Sequence, residues 1–520
     1  MKALLMHPER DFDAARSPPR HTADLLQDLG LDAVTSAMAG DDKTIATVAS
    51  AALINASDSD ADTIRYRQDV VRDALAQPTL MRELYTKVED ALEERRKHYW
   101  GLMNNHPAAT LYESLQLLTL FMARLREIRD LLGAHFQGFH SSGLRGLTNT
   151  LQRELDNLYL ARVNACLKKL ESGHGTLIRA QLDTDGESTS HTLCWQAEGS
   201  GRWIKHLVLD RLPSNLTIQL NPRDATGARI FGEMRDLGFN EVANVLARAT
   251  EHIQGFLENL RQELAFHVGC INLHHRLAGW GVPTVLPNLA ANEEQAGFTT
   301  RGLRDIGLVL SSSHDVVPND VDAAGKALVV ITGANQGGKS TFLRSVGLAQ
   351  TMLQAGLFVA AQDFRAGVCT GVFTHFSREE DTTMRHGKLD EELDRIGHIA
   401  DEIRPGALLL CNESFASTNE REGAEIARQV IEAMLERGIR VVFVTHLSSF
   451  AQAAYAAHPG DALFLSPERR DDGSRSFRLI AGAPGTTSYG ADLYRQIFTG
   501  SDARTADTTP VANDKIDAPP

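Results

Sequence analysis

The stretch that decides the fold of the second half of this chain is residues 327–341, which read ALVVITGANQGGKST. An apolar run suited to a buried strand leads into the pattern G-x-x-x-x-G-K-[ST], and a helix-forming segment follows. In such a loop the glycines let backbone N–H groups surround a phosphate, and the following helix N-terminus adds partial positive charge. The lysine would reach the β- and γ-phosphates and the serine would hold Mg²⁺. We therefore expect ATP or GTP to bind through Gly333, Gly337, Gly338, Lys339 and Ser340.

Length and composition set the class of protein. With 520 residues, 42% hydrophobic and 23% charged, the chain has the make-up of a soluble protein of more than one domain. A formal net charge of −14 means that any DNA contact must come from a local basic patch. The five cysteines form no C-x-x-C pair, which argues against a disulfide framework and a zinc ribbon. Early N-terminal charges and the lack of a long apolar run argue against a signal peptide and a membrane span, so a cytoplasmic protein is expected.

Hydrophobic periodicity divides the chain into two large regions. Apolar spacings of three and four predict a helical region over 21–285, with long helices such as one over 147–170 and a small β-rich insert at about 176–221. From 286 to 500, strand and helix patterns alternate, as in an α/β domain with a mostly parallel sheet. Residues 1–20 are predicted to form a flexible arm and residues 501–520 a disordered tail. The predicted fold is multidomain: an elongated helical bundle with a β-insert, followed by an α/β nucleotide-binding domain.

Two further apolar strands end in side chains suited to phosphate chemistry. Residues 407–413 place Glu413 where a general base would polarise an attacking water, with Asn412 just before it. The Asn412 amide oxygen can accept from a Mg²⁺-bound water but lacks the charge that a hard cation prefers, which predicts slow hydrolysis or weak Mg²⁺ affinity. The strand 441–446 ends in His446, whose imidazole would bind the γ-phosphate or position water; a purely structural histidine is the alternative.

Together these motifs resemble the MutS ATPase, a branch of the ABC-type ATPases. GANQGGKST at 333–341 resembles G-P-N-M-G-G-K-S-T, and NESFASTNEREG at 412–423 resembles D-E-I-G-R-G-T-S-T-Y-D-G. VTH at 444–446 and SYG at 488–490 resemble A-T-H and S-Y-G. The segments that follow the family's first helix are similar to 359–362 and 372–374. The resemblance spans about residues 303–490.

The resemblance implies a P-loop ABC-type ATPase domain that uses ATP and Mg²⁺ and works as a dimer. It adds Asn335, Thr341 and Gln362 to the nucleotide-binding residues and implies that Ser340 and Asn412 hold Mg²⁺, the latter through water. Glu413 and His446 take the catalytic positions.

A weaker resemblance to the MutS core and lever region extends upstream, over 64–68 and 256–283. By that resemblance the β-insert occupies the clamp position, and Arg202, Lys205 and Arg211 contact DNA phosphates. Lever-like sequence begins within the first 70 residues, so the chain is expected to be a short member that lacks the mismatch-recognition and connector domains.

The loop that a partner subunit contributes to an ABC-type site departs from the family pattern. MutS proteins carry G-R-S-T-F there, whereas this chain reads Gly387-Lys388-Leu389, so the serine is replaced. Lys388 would contact the γ-phosphate across a homodimer; a solvated charge within a charged run is the alternative.

Two functions from different classes follow. The first is an ATP-dependent DNA-binding ATPase of MutS type, acting with other repair proteins in mismatch repair or in handling branched or recombination DNA, with ATP at the dimer interface gating the DNA-binding arms. The alternative is a nucleotide-gated scaffold that hydrolyses ATP weakly and recruits protein partners without recognising DNA. Glu413 favours the first function, whereas Asn412, Leu389 and the acidic net charge favour the second.

Overall fold

The computed structural model describes residues 1–98, 107–171, 177–185, 188–194, 224–290, 297–312, 315–378, 387–469 and 475–485. Its helices are α1 (Thr22–Leu29), α2 (Leu31–Ala39), α3 (Lys43–Ile54), α4 (Ala61–Ala76), α5 (Pro78–His98), α6 (Pro107–Ala134), α7 (Ser142–Glu154), α8 (Asn157–Glu171), α9 (Ala225–Gly279), α10 (Ile306–Ser312), α11 (Lys339–Gln354), α12 (Lys388–Glu402), α13 (Glu420–Glu436) and α14 (Ser448–Ala457). Its strands are β1 (Leu177–Leu182), β2 (Ser188–Cys194), β3 (Asn288–Leu289), β4 (Phe298–Leu303), β5 (Asn319–Asp322), β6 (Leu328–Ile331), β7 (Asp363–Ala366), β8 (Val372–Phe376), β9 (Leu408–Asn412), β10 (Arg440–Val444), β11 (Ala462–Arg469) and β12 (Arg475–Ala481).

The chain divides into two compact units. The helical unit comprises Met1–Ala15, Asp42–Val48 and Asp69–Ile271. The sheet unit comprises Arg16–Asp41, Ala49–Gln68 and Asn272–Pro520. The mixed helical and α/β fold expected from the sequence is confirmed.

The helical unit contains α5 to α8 and most of α9. One buried cluster joins Leu111, Leu115 and Leu118 of α6 to Leu167 of α8 and Ala243 of α9. The α6 leucines recur at spacings of three and four, so they form one apolar stripe along the helix. Within the described parts of the chain, no helix combines the length and the apolar character that a membrane span requires.

Periodicity predicted one helix over 147–170, whereas the structure contains two, α7 and α8. Leu155 leaves helical geometry, with φ −113° and ψ 46°. Its carbonyl accepts a hydrogen bond from the Arg129 guanidinium. Asp156 Oδ1 then accepts from the Tyr159 backbone N–H at 2.6 Å and caps α8. The apolar spacing continues across this break, which is why the sequence pattern does not show it.

The first fifteen residues are packed, in contrast to the flexible arm predicted for residues 1–20. Leu5 and Met6 are fully buried in the helical unit. The Glu263 carboxylate of α9 accepts hydrogen bonds from the backbone N–H groups of Leu5 and Phe12, the second at 2.7 Å. Burial raises the pKa of Glu263 to about 7, although both backbone donors favour the charged form. Apolar side chains between the charges allow this segment to join the core.

The β-insert is described only in part. β1 and β2 pair antiparallel, with Leu177 opposite Cys194 and Leu182 opposite Ser188. Both strands lie in the β-rich segment expected at about 176–221, of which residues 176, 186–187 and 195–221 lie outside the described residues.

The sheet unit is built on a six-stranded sheet of order β12-β11-β6-β10-β9-β8. All neighbouring strands are parallel except β11 and β12. β6, β9 and β10 are nearly continuous apolar runs, as parallel strands covered on both faces require. Val444 lies opposite Ile331 on one side and Asn412 on the other, so the carboxyl ends of these strands meet at one edge.

A second, four-stranded mixed sheet has the order β3-β7-β4-β5. β4 pairs antiparallel with both β5 and β7, and β3 pairs parallel with β7. Its β5 strand leads directly towards β6 and the glycine-rich loop at 333–338.

Helices α1 and α2 group with the sheet unit, although periodicity placed them in the helical region 21–285. The His21 ring packs on Phe373 of β8 at 4.1 Å between centroids, and Asp24 pairs with Arg378. Leu29 packs so closely on Gly347 of α11 that a methyl group at Gly347 would lie 2.6 Å from it. The division therefore follows long-range contacts, which local periodicity does not reveal.

Candidate nucleotide-binding site

The loop between β6 and α11 has the backbone shape that a phosphate cradle needs. Gly333 and Gly338 have φ values of 118° and 87°, a region that only glycine enters without strain. At Gly333 a Cβ atom would also lie 2.7 Å from Cδ of Pro467 in β11. Because α11 begins at Lys339, its first N–H groups have no partners within the helix and are free for an anion.

Lys339 is held over this loop. Its side chain is buried, and Nζ donates to the carbonyls of Gly333 and Ala334 at 2.9 Å each. Burial lowers the pKa of Lys339, and the nearby Glu413 carboxylate opposes that shift. An ammonium held in this way by two carbonyls is suited to bind an incoming phosphate.

Ser340 and Asn412 meet beside the loop. Ser340 Oγ in the first turn of α11 donates to Oδ1 of Asn412 at the end of β9, at 2.8 Å. A hydroxyl and an amide oxygen at one point fit a hydrated Mg²⁺, which keeps several of its waters, although they supply no negative charge. Among the described residues, no group of three His, Cys, Asp or Glu side chains is placed to hold a metal ion.

Glu413 and His446 form the third part of the site. Nε2 of His446 donates to Oε1 of Glu413 at 3.1 Å. This hydrogen bond, assisted by the charges of His446, Lys339 and Lys388, holds the pKa of Glu413 below its ordinary value against the opposing effect of burial. Glu413 therefore stays ionised at neutral pH and can accept a proton from water. Its own backbone N–H donates to the Val444 carbonyl at 2.8 Å, which fixes the residue beside the end of β10.

A cavity of about 420 Å³ adjoins the loop and the first turns of α11. Its walls are largely apolar, and its size suits a small ligand. The residues that line it include Asp305, Val316, Asn319, Gln336, Gly338, Thr341, Phe342 and Phe477. Arg475 Nη1 donates to Gln336 Oε1 at 2.7 Å, which ties β12 to the loop.

Most of the cavity residues were not among those predicted from the sequence. Asn319 and Phe477 are 158 positions apart, and Asn319 Nδ2 donates to the Phe477 carbonyl at 3.3 Å. No local pattern joins two such distant positions. The one available signal is the apolar segment Val316-Val317, which shortly precedes β5.

The three other predicted nucleotide-binding residues lie at different places in the sheet unit. Asn335 is exposed on the loop, and Thr341 lines the cavity. Gln362 lies just before β7 of the four-stranded sheet, where its side chain packs against Gly302.

The structure describes the two residues of the predicted trans loop but not the predicted DNA contacts. Gly387 caps α12 and Lys388 opens it; the Lys388 charge acts on Glu413 of the same chain. Arg202, Lys205 and Arg211 lie outside the described residues, as does the segment 488–490.

Comparison with known proteins covers both units. Two family models match, the MutS2 N-terminal domain over residues 59–280 and MutS domain V over residues 329–499. Endonuclease MutS2 of Lacticaseibacillus casei is 29% identical over 293 residues, covering 52% of this chain and 35% of the relative. Endonuclease MutS2 of Thermus thermophilus is 24% identical over 307 residues, covering 58% and 39%.

A third relative matches over a shorter stretch. DNA mismatch repair protein MutS of Thermus aquaticus is 29% identical over 185 residues, covering 36% of this chain and 22% of the relative. The chain thus spans between 22% and 39% of the length of these three relatives. Since one model matches the upstream helices and the other matches the region that contains residues 333–341, Glu413 and His446, the chain belongs to the MutS family.

Proposed function

We propose that this chain binds and hydrolyses ATP and that it handles DNA in mismatch repair or recombination. The observation that carries the proposal is the convergence at one sheet edge of Lys339, the Ser340–Asn412 pair and the Glu413–His446 pair. A cationic loop, a metal-compatible oxygen pair and an ionised base are the parts that phosphoryl transfer to water requires.

Each residue has a distinct part in the proposed reaction. The loop N–H groups and Lys339 bind the phosphates, and the cavity beside Phe342 and Phe477 accepts the base of the nucleotide. Glu413 orients a water and accepts its proton, while His446 holds the Glu413 carboxylate in place. Mg²⁺, when bound beside Ser340 and Asn412, would neutralise charge on the phosphate oxygens.

The DNA-handling part of the proposal rests on the relatives that match this chain. Proteins named Endonuclease MutS2 and DNA mismatch repair protein MutS match this chain. In the proposed homodimer, Gly387 and Lys388 complete the partner's nucleotide site, and Arg202, Lys205 and Arg211 contact DNA backbone phosphates. ATP binding and DNA binding are then coupled, and the coupling is reciprocal in free energy.

The test is steady-state ATP turnover without DNA and with duplex, mismatched or branched DNA, using the Lys339→Ala variant as the blank. Turnover above the blank that changes at least severalfold with one kind of DNA is expected, and the preferred DNA would separate mismatch repair from junction handling. Turnover that ignores every DNA would overturn the DNA part of the proposal.

A nucleotide-gated scaffold with weak hydrolysis is the second candidate. The observation in its favour is the neutral Ser340–Asn412 pair, since a Mg²⁺ site without a carboxylate binds the cation less tightly. ATP binding without turnover, together with nucleotide-dependent association with a protein partner, would support it.

Asn412→Asp tests whether Asn412 weakens Mg²⁺ binding and slows hydrolysis. The added charge beside Ser340 is expected to lower the Mg²⁺ concentration for half-maximal turnover by about tenfold, the ratio that corresponds to about 1.4 kcal/mol, and to raise turnover. The measurement is a Mg²⁺ titration of ATP hydrolysis.

Asn419→Asp is the matched control, because Asn419 caps α13 and an aspartate keeps that cap. If Asn412→Asp leaves the titration unchanged, the metal is held mainly by Ser340 and water, and Asn412 does not damp the reaction.

A further inference from the structure

The loop that carries Glu413 adopts a conformation that its residues do not favour by themselves. Glu413 and Phe415 have φ values of 54° and 64°, in the left-handed region that residues with a Cβ avoid. Two such residues within three positions persist only where surrounding contacts hold them. The contacts that hold this loop therefore determine where the Glu413 carboxylate lies.

A single buried carboxylate provides two of these contacts. Glu392, in the second turn of α12, is 3% exposed. Its Oε2 accepts from the Phe415 backbone N–H at 2.9 Å, and its Oε1 accepts from Ser417 Oγ at 2.7 Å. Each carboxylate oxygen thus holds one point of the loop, two and four residues beyond Glu413.

His375 of β8 also contacts Glu392 and the loop that carries Glu413. Its Nε2 donates to the Glu392 carbonyl at 3.0 Å, and its ring stacks on Phe415 at 5.5 Å between centroids. Ser414 Oγ lies 2.7 Å from both Nδ1 and the carbonyl oxygen of His375. Burial and the charge of Arg395 lower the pKa of His375 to about 4, so the ring is neutral at pH 7. The ring therefore holds the loop through hydrogen bonds and stacking and adds no charge there.

We infer that Glu392 is a positioning residue for hydrolysis: by fixing Phe415 and Ser417, it sets the place of the Glu413 carboxylate. The inference rests on the proposed ATP hydrolysis and adds to it a residue that no sequence motif indicated. The two hydrogen bonds of the Glu392 carboxylate go to Phe415 and Ser417 and not to residues 333–341, so its loss would alter turnover without altering nucleotide binding. Misplacement of a catalytic group by about 1 Å lowers turnover by about a hundredfold.

The first test is Glu392→Gln, which keeps the size of the side chain but replaces one acceptor oxygen with a donor. We expect kcat for ATP to fall about tenfold to hundredfold, with KM and the Kd for ATP within about twofold of the unaltered protein. In a Glu413→Gln background, the same change should lower kcat no further, because residues that act through one group are not additive.

Ser417→Ala provides a second variant in case Glu392→Gln does not fold. Ser417 is only partly buried, and its replacement removes one of the two loop contacts, so a fall in kcat of a fewfold is expected. Asp394→Asn is the matched control: it removes an exposed carboxylate two residues along α12 and should leave kcat unchanged.

The possible outcomes distinguish the role of Glu392 from the proposed ATP hydrolysis on which it rests. Turnover of the unaltered protein no higher than that of Lys339→Ala overturns both. Normal turnover that Glu392→Gln and Ser417→Ala leave unchanged overturns only the role of Glu392. Equal losses of kcat and of ATP affinity, or a further loss of kcat in the Glu413→Gln background, show a general structural role and also overturn it.

Discussion

Lys339→Ala should reduce ATP affinity by at least about a hundredfold. The Lys339 ammonium lies over the loop, bonded to the carbonyls of Gly333 and Ala334, and has no carboxylate in direct contact among its described hydrogen bonds. On binding, these contacts would be exchanged for hydrogen bonds to charged phosphate oxygens. Each such bond contributes about 1.5–3 kcal/mol, and losing two of them amounts to about 3 kcal/mol or more. A fluorescent ATP analogue titrated into both proteins gives the Kd values.

Lys326→Ala is the appropriate control for that titration. Lys326 also donates to a backbone carbonyl, that of Gly460, but precedes β6 rather than following the loop. Its removal should leave the Kd for ATP within about twofold. Tight ATP binding by Lys339→Ala would show that residues 333–341 are not the phosphate site.

Glu413→Gln should retain ATP and stop turning it over. Glutamine has nearly the same shape and can still accept the hydrogen bond from His446, so binding should persist. It cannot take a proton from water, and a general base contributes about 10²–10⁴-fold to a rate. We expect kcat to fall by that factor while the Kd for ATP changes less than about threefold. Single-turnover hydrolysis of labelled ATP measures the step directly.

The pH profile supplies an independent check on Glu413. Because its pKa lies below the ordinary value, the carboxylate is ionised throughout the neutral range, and activity should not decline until the pH falls below the usual glutamate range. Glu425→Gln, which neutralises an exposed carboxylate on α13, should leave both kcat and the profile unchanged. Unaltered turnover in Glu413→Gln would remove Glu413 from the role of base.

The sequence was sufficient to predict those parts of the site whose functional side chains lie within one contiguous motif or at the end of an apolar strand. The strand, loop and helix around Lys339 are contiguous, and the apolar runs before Asn412 and His446 are typical of buried parallel strands. Once β6, β9 and β10 lie side by side, the ends of the three strands must meet. The order of the motifs was therefore sufficient to predict that these residues share one edge of a sheet.

Features that depend on distant contacts were not predictable in the same way. The left-handed geometry of Phe415 is opposed by its residue type and exists because Glu392 and His375 hold it. The cavity needs Asn319 and Phe477 together, which no periodicity relates. Residues 1–15 were predicted to be loose because the sequence SPP at 17–19 is typical of the end of an arm, whereas Glu263, about 250 residues away, supplies the acceptors that bury them.

The packing of Leu29 on Gly347 has a practical consequence for the design of fragments of this protein. A fragment that begins near residue 286 would keep the whole glycine-rich loop at 333–338 but lose α1. It would leave Phe373 and the glycine face of α11 open to water and Arg378 without Asp24. Newly exposed apolar surface of that kind favours aggregation. A fragment that keeps the packing of the sheet unit is therefore discontinuous along the chain and has to carry residues 16–41 and 49–68 with it.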